Sequence, residues 1–425
     1  MTSPARAHVD DVISFVESSP TSYHAAAELA RRLEEAGFER LDETADWSGA
    51  ASVEGRRFVV RDGAVIAWAT PETIGPRAGF RIVGSHTDSP SFKLKPHATV
   101  TNLGWQQVGM EVYGGGLLNS WLDRDLGLAG RLVTLDGETH LVRTGPILRI
   151  SQLAPHLDRT VNQDLTLDRQ RHLMPILSVG RPDLDVEDLL CEAAGIERSE
   201  LGFHDILAYP TERPAVIGPA GEFLASSRMD NLSSVHSSIA AMVDVEVGED
   251  IAVMACFDHE EVGSSTRSGA CGPFLEDVLV RIAARVGRQG DAYRAMIARS
   301  VCISADAGHG VHPNYPEKFD PSNQPLLNQG PLLKINANQR YATDGVGGAL
   351  WERVCRAAHV PTQAFVSNNS VPCGSTIGPL TATRLGMLTV DVGLPLMSMH
   401  STRELAGVAD LSSLSTALGA FWAGA

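Results

Sequence analysis

An uninterrupted apolar run from Ile251 to Phe257 constrains the fold of this chain more than any other stretch. A strand with one solvated face alternates apolar and polar residues, whereas this run is typical of a parallel sheet covered by helices on both faces. Four ionisable residues, Asp258, His259, Glu260 and Glu261, follow it directly. Burying unpaired charge costs free energy, so this position favours a metal or catalytic site. A solvated acidic turn is the alternative.

The spacing within this segment separates two kinds of metal site. The residue four positions after His259 is Gly263, so the segment is not the helical His-Glu-x-x-His zinc motif. Two adjacent carboxylates suit a different arrangement, in which one binds a metal ion and its neighbour transfers protons.

The rest of the chain predicts an α/β fold with an insertion. After Asp230, helical and strand-like patterns alternate to the end of the chain, which indicates a sheet sandwiched by helices. From about Lys95, short strand-like segments separated by turn signals predict a β-rich insertion that contains one helix. We therefore predict an α/β domain formed by residues 1–94 and 226–425 and interrupted by a β-rich domain of residues 95–225.

Composition excludes several classes of partner. A chain of 425 residues with 35 Lys and Arg against 51 Asp and Glu has a net charge of −16, which repels nucleic acid and anionic membranes. The six cysteines are scattered, which argues against a disulfide framework and fits a reducing cytoplasm. The segment 1–17 lacks the basic start and apolar core of a signal peptide, and no apolar stretch approaches the length of a membrane span. We expect a soluble cytoplasmic protein without nucleic-acid or membrane partners.

Several predicted strand or segment ends carry residues that can bind a metal ion. Histidine combined with carboxylates suits zinc, with manganese or cobalt as alternatives. Two histidines and three carboxylates are more ligands than one catalytic tetrahedral ion can bind. They suit two ions about 3.5–4 Å apart, bridged by a carboxylate and a water molecule. The residues are His86 with Asp88, Asp230, Glu260 with Glu261, Asp306 with His309 and His312, and His400.

The chain resembles the aspartyl aminopeptidases, which are dinuclear zinc exopeptidases that remove an N-terminal Asp or Glu from peptides. The resemblance covers about residues 10–420 and implies a three-layer α/β/α metallopeptidase domain with a mixed central sheet and an inserted lid and dimerisation domain. The matching motifs are GSHTDSP at 84–90 with KP at 95–96, YGGG at 113–116, Trp121 with DRDL at 123–126, SRMDN at 227–231, DHEEVGS at 258–264, SAD at 304–306, His309 with HPNYPEK at 312–318, QRYAT at 339–343, GSTIGP at 374–379, and MHS at 399–401.

The resemblance implies a ligand set for two zinc ions per subunit, with cobalt or manganese as possible substitutes. One ion would be held by His86, Asp230 and Asp306, and the other by Asp230, Glu261 and His400. Asp230 would thus bridge the two ions.

The resemblance also implies roles for three further residues. Glu260 would be the general base. Asp88 would orient the His86 ring by accepting a hydrogen bond from the ring nitrogen that does not bind metal. His156 would act in trans, over the site of a neighbouring subunit, where it stabilises the tetrahedral intermediate. A histidine acting in trans requires a homo-oligomer of at least two subunits, and the family forms large closed assemblies such as dodecamers.

An acidic substrate side chain needs a cation in a protein that is otherwise acidic. Lys334, which interrupts an apolar strand-like segment, is the candidate, with Arg340 and Lys95 behind it. We assign His309 to substrate binding as well. The alternative for Lys334 is a structural cation that pairs or snorkels.

Two other functions remain open at this point. One is a different dinuclear amidohydrolase with neutral N-terminal specificity; the other is a non-catalytic scaffold on the same fold. Leu118 and Phe319 replace residues usual in the family, and they bear on the rim and the substrate preference, not on the ligands. The GSTIG run at 374–378 has Thr376 where a nucleophile elbow has serine, which argues against a serine hydrolase.

Overall fold

The computed structural model describes residues 3–47 and 53–425. They divide into two compact units. The larger contains the described residues up to Asp88 together with Pro214–Met399 and Glu404–Ala425, and the smaller contains Ser89–Arg213 and His400–Arg403. The sequence-based division set the joints after residues 94 and 225, six and twelve residues beyond these boundaries, and it did not assign residues 400–403 to the smaller unit.

The α-helices of the described residues are mostly in the larger unit. They are α1 (Ser3–Ser18), α2 (Ser22–Glu35), α3 (Val186–Ala194), α4 (Met229–Val243), α5 (Phe274–Arg285), α6 (Asp291–Arg299), α7 (Gly345–Ala357), α8 (Ile377–Leu385) and α9 (Val408–Trp422).

The strands form three sheets, of nine, seven and five strands. They are β1 (Glu39–Arg40), β2 (Arg56–Arg61), β3 (Ala64–Ala69), β4 (Phe80–His86), β5 (Ser91–Asn102), β6 (Trp105–Tyr113), β7 (Asp125–Thr134), β8 (Thr139–Arg143), β9 (Leu148–Arg149), β10 (Ile176–Val179), β11 (Leu201–Pro210), β12 (Ala215–Ile217), β13 (Phe223–Ser226), β14 (Ile251–Phe257), β15 (Val301–Ala305), β16 (Gly308–His309), β17 (Leu332–Ile335), β18 (Gln363–Val366), β19 (Leu388–Gly393), β20 (Pro395–Met397) and β21 (Glu404–Gly407).

The nine-stranded sheet is covered by helices on both faces. Its order is β1-β2-β3-β14-β4-β15-β19-β17-β18. Successive side chains of a strand point to opposite faces, and along β14 they alternate between two hydrophobic clusters. Met254 belongs to the cluster formed with α1, α2, α4, α7 and α9, whereas Val253 belongs to the cluster formed with α5, α6 and α8. The predicted three-layer α/β/α arrangement is therefore confirmed, and both faces of β14 are buried.

The direction of the central strands positions the site. β4 pairs in parallel with β14 on one side and with β15 on the other, and β15 pairs in parallel with β19. The carboxyl ends of these four strands therefore share one edge of the sheet. β3 and β17 run antiparallel to their neighbours β14 and β19, so the sheet is mixed.

The larger unit also contains the five-stranded sheet, in the order β12-β13-β21-β20-β16. In this sheet β13 pairs antiparallel with β21, with Ser226 opposite Glu404. This pairing places the chain that leaves β13, and leads into α4, beside the start of β21.

The smaller unit is built on an antiparallel sheet in the order β11-β5-β6-β10-β9-β7-β8. A further pairing of β11 with β7 closes the sheet on itself. Its core includes Phe92, whose ring meets that of Trp121 edge-on at 4.9 Å, and α3 contributes Leu190. Within the described residues of the whole chain, the helices lack the combination of length and apolarity that a bilayer span requires.

Candidate metal centre

His86 is the centre of a buried cluster of carboxylates. It is the last residue of β4, and its ring is almost completely buried. Its Nε2 lies 3.4 Å from Oδ1 of Asp230 and 3.7 Å from Oδ1 of Asp306, the residue that follows β15. One ligand atom from each of these three residues lies within 4.8 Å of the others. Because β4 and β15 are parallel neighbours, their ends bring His86 and Asp306 together.

Asp230 reaches the cluster from the start of α4. Arg228 has positive φ (60°), and Asp230 departs from helical backbone angles, so the chain turns sharply between β13 and the regular part of the helix. The backbone N–H groups of Met229 and Asp230 donate to one carboxylate oxygen, Oε2 of Glu404, at 2.6 and 3.2 Å. The side-chain amide of Asn231 donates to the carbonyl of Ala305 at 2.9 Å. These bonds tie the Asp230 segment to β21 and to the end of β15.

Asp88 anchors the segment after β14 that carries Glu260 and Glu261. Its Oδ1 accepts the N–H of Glu260 at 3.0 Å and its Oδ2 accepts the N–H of Glu261 at 3.1 Å. Asp88 also lies beside His86, whose Nδ1 is 3.3 Å from Oδ1 and 3.1 Å from the carbonyl oxygen of Asp88. The carboxylates of Glu261 and Asp230 approach within 4.8 Å, and Oε2 of Glu260 lies 3.9 Å from Nε2 of His86.

His400 belongs to the smaller unit and has positive φ (66°). Its Nδ1 lies 3.0 Å from the carbonyl oxygen of Gly115. A carbonyl only accepts, so Nδ1 carries the proton and a neutral ring presents its lone pair at Nε2. A histidine that binds metal through one ring nitrogen and donates to a carbonyl from the other adopts this tautomer.

The electrostatics of the His86 cluster favour a bound cation. Burial lowers the pKa of His86, but hydrogen bonds with Asp230, Asp306 and Asp88 raise that pKa well above its usual value. Burial, together with the negative charges of Asp306, Asp230 and Asp88, raises the pKa of Glu260 to about 7. Carboxylates gathered around one buried imidazole repel one another, and a divalent cation removes that repulsion. The donor set, a histidine with carboxylates, fits zinc.

Lys334 lies in β17 and is buried, with 1% of its surface exposed. Its Nζ donates to the carbonyl of Ala307 at 2.7 Å and lies 5.3 Å from the ring centroid of Tyr341. Ala307 directly follows Asp306, so the ammonium group binds the backbone one residue after a member of the His86 cluster. Asp391, buried on the neighbouring strand β19, is an electrostatic partner of Lys334.

The other predicted substrate and catalytic residues lie on the surface. Arg340 is exposed and its Nε donates to the carbonyl of Gly374 at 3.3 Å. His309 is exposed, and its ring lies 6.0 Å from that of Phe365. His156 lies on an exposed turn of the smaller unit.

Sequence analysis did not single out Glu404 or Asn231, which hold the Asp230 segment. For Glu404 a weak signal existed, because it is a charged residue that opens the otherwise apolar run 404–408. Its partners precede it by 175 and 174 residues, however, so only the pairing of β13 with β21 reveals the contact.

Solved structures with the same fold place the chain in a class of α/β/α metallopeptidases. It superposes on a chain in the cryo-EM structure of the Ape4 and Nbr1 complex with a TM-score of 0.95 and 35% identity, covering 99% of this chain and 86% of that chain. It matches the S. cerevisiae mApe1 dodecamer structure with a TM-score of 0.87 and 28% identity, covering 100% of this chain and 98% of that chain.

The family assignment follows from the sequence matches. The chain belongs to the M18 family of zinc aminopeptidases: the family described as Aminopeptidase I zinc metalloprotease (M18) matches residues 15–422. It is 49% identical to a probable M18 family aminopeptidase 2 of Streptomyces coelicolor over 99% of both chains, and 44% identical to one of Pseudomonas aeruginosa over 97% of both chains. The predicted family is confirmed.

Proposed function

We propose that this M18 aminopeptidase removes an N-terminal Asp or Glu from peptides. The observation that carries the proposal is the buried ammonium group of Lys334, whose Nζ is bonded to the carbonyl next to Asp306. Lys334 is buried, and burying a cation is unfavourable unless an anion compensates it. Its electrostatic partner Asp391 shares its carboxylate with the hydroxyl of Thr376 and the N–H of Ala342, so a direct anionic partner would further compensate the ammonium group. A substrate carboxylate that enters beside the His86 cluster would provide this compensation.

We propose two zinc ions per subunit, with cobalt or manganese as possible substitutes. His86, Asp230 and Asp306 would hold one ion, and Asp230, Glu261 and His400 the other, with Asp230 shared. When bound, the two ions would supply the Lewis acidity that activates a bridging water molecule and polarises the scissile carbonyl.

Glu260 would move the proton. It lies close to His86 but is not needed as a ligand, and Asp88 fixes its backbone. Bound cations would offset the negative charges that raise the pKa of Glu260. Its carboxyl group would then be ionised at neutral pH. It then accepts a proton from the attacking water and delivers that proton to the departing amine.

We also propose a homo-oligomer in which His156 acts on the site of a neighbouring subunit and stabilises charge on the attacked carbonyl. The exposure of His156 on its own unit and the dodecameric assembly of the mApe1 relative support this role. Arg340 and His309, both exposed, would contact the peptide substrate. The six free cysteines fit a reducing compartment such as the cytoplasm.

The test is a substrate panel combined with a metal analysis. The chain is loaded with zinc, cobalt or manganese in turn, its metal content is measured, and it is assayed on Asp, Glu, Leu and Ala amides of one fluorogenic amine. We expect two ions per subunit and a preference for Asp or Glu. Preference for Leu would show a neutral aminopeptidase, and no hydrolysis with any metal would show a non-catalytic scaffold.

A further inference from the structure

Glu404 is a buried carboxylate whose contacts point to the metal cluster. It is the first residue of β21, and 1% of its surface is exposed. In the pairing with β13 it lies opposite Ser226. The chain that leaves Ser226 runs through Ser227 and Arg228 to Met229 and Asp230, so the register brings Glu404 beside the backbone that precedes Asp230.

The contact is made to the backbone of the cluster residue itself. One oxygen of Glu404 accepts the N–H of Met229 at 2.6 Å and the N–H of Asp230 at 3.2 Å. These N–H groups open α4, where the first N–H groups of a helix lack intrahelical acceptors. A carboxylate from a distant strand therefore serves as the acceptor at the point where the backbone of Asp230 is not helical.

The geometry points to a specific reason for this arrangement. In the proposed ligand sets Asp230 is shared, so its carboxylate would face two ions at once. A ligand with two partners tolerates less rotation of its backbone than a ligand with one. The N–H of Asp230 is part of the peptide plane that sets the direction of its side chain, and Glu404 fixes that plane.

We propose that Glu404 is a positioning residue for metal binding, which holds the backbone of Asp230 so that its side chain can bridge two ions. This inference rests on the proposed role of Asp230 as the shared ligand. The effect of Glu404 would pass through Asp230.

A second buried carboxylate of the same unit provides a matched control. Asp410 also accepts two backbone N–H groups, from Asn328 at 2.6 Å and Gly330 at 2.8 Å, and it is likewise buried. Its partners belong to neither ligand group. Loss of Asp410 and loss of Glu404 therefore remove the same kind of bond, but only the second disturbs a candidate ligand.

The experiment measures zinc affinity by competition with a chromophoric chelator, on the full-length chain. Glu404→Ala should lower zinc affinity by about 10- to 100-fold, which is the usual effect of losing a group that orients a ligand. Glu404→Gln keeps a carbonyl oxygen in place and should stay within a few-fold of the wild type. Asp410→Ala should lower the melting temperature of the metal-free chain and leave zinc affinity unchanged.

Further variants distinguish a failure of this inference from a folding defect and from a failure of the proposed function. Should Glu404→Ala not fold, Glu404→Asp withdraws the carboxylate by one methylene while keeping its charge, and it should show the same loss of affinity. Wild-type zinc affinity in Glu404→Ala, or in Glu404→Asp when Glu404→Ala does not fold, overturns the inference. If Asp230→Asn also binds two zinc ions normally, the proposed function fails; if Asp230→Asn alone loses zinc, only the role of Glu404 is refuted.

Discussion

Replacement of Lys334 by Met tests the proposed preference for acidic substrates. Met is similar in length and apolar, so Lys334→Met removes the ammonium group while filling its space. A hydrogen bond to a charged group contributes about 1.5–3 kcal/mol, which corresponds to a loss of roughly 10- to 150-fold in kcat/KM on an Asp substrate. A Leu substrate has no carboxylate for Lys334 to bind, so its kcat/KM should stay level or rise.

The substitution should not unfold the protein. It leaves the carbonyl of Ala307 without the 2.7 Å bond from Nζ and leaves Asp391 without a cationic neighbour, but it also removes a buried charge, and this last effect opposes the first two. Melting temperatures of the two proteins check this point.

The assay compares kcat/KM on Asp and Leu amides of one fluorogenic amine at saturating zinc. Lys318→Met, which removes an exposed lysine from the short turn Pro316–Lys318, is the control and should leave both values unchanged. The reasoning is refuted if Lys334→Met lowers the values for Asp and Leu equally, because the lysine would then be structural.

Three further predictions use other parts of the chain. Glu260→Gln should retain both metal ions yet lose on the order of 10²–10⁴ in kcat, so near-normal turnover of a fully loaded variant would exclude Glu260 as the base. Asp230→Asn should empty or disorder both ion sites, and a normal metal content by elemental analysis would contradict the bridging role. Burial lowers the pKa of His236 and lowers that of its edge-on neighbour His8 to about 4, so these two residues bind fewer protons in the folded state than in the unfolded state below pH 6.5. Stability should therefore fall as the pH drops from about 6.5 towards 4, by about 1 kcal/mol from His8 after allowing for its partial exposure, and urea unfolding of His8→Leu should show a flatter pH dependence; an unchanged slope would exclude His8 as a source.

The layers of the fold were predictable because they depend on local patterns. The wholly apolar run of β14 shows in the sequence that both faces are covered, and an ionisable residue after such a run is visible without coordinates. His86 and Asp306 follow the same rule, because parallel strands bring their carboxyl ends to one edge. The strand pattern therefore indicated that His86 and Asp306 lie near each other at that edge, whereas the full ligand set came from the family resemblance and stays a prediction.

Contacts set by long-range pairing were not predictable. The bond from the N–H of Asp230 to Glu404 depends on the register between β13 and β21, and no periodicity in either segment encodes it. Helix α6 joined no predicted pattern, because Gly290 precedes it without a capping side chain and three of its residues, Tyr293, Met296 and Ile297, are buried. The environment of Lys334 could not be predicted either. A lysine within an apolar segment can lie on an exposed edge as well as in the buried position that Lys334 has.

The two bonds that Asp88 receives have a consequence for how the enzyme loses activity. Because one carboxylate accepts consecutive backbone N–H groups, the proposed base Glu260 and the proposed ligand Glu261 share one anchor. A disturbance that shifts the first also shifts the second. If the proposed roles of Glu260 and Glu261 are right, damage to this anchor should weaken ion retention and proton transfer together, and few molecules should hold their ions with the base misplaced.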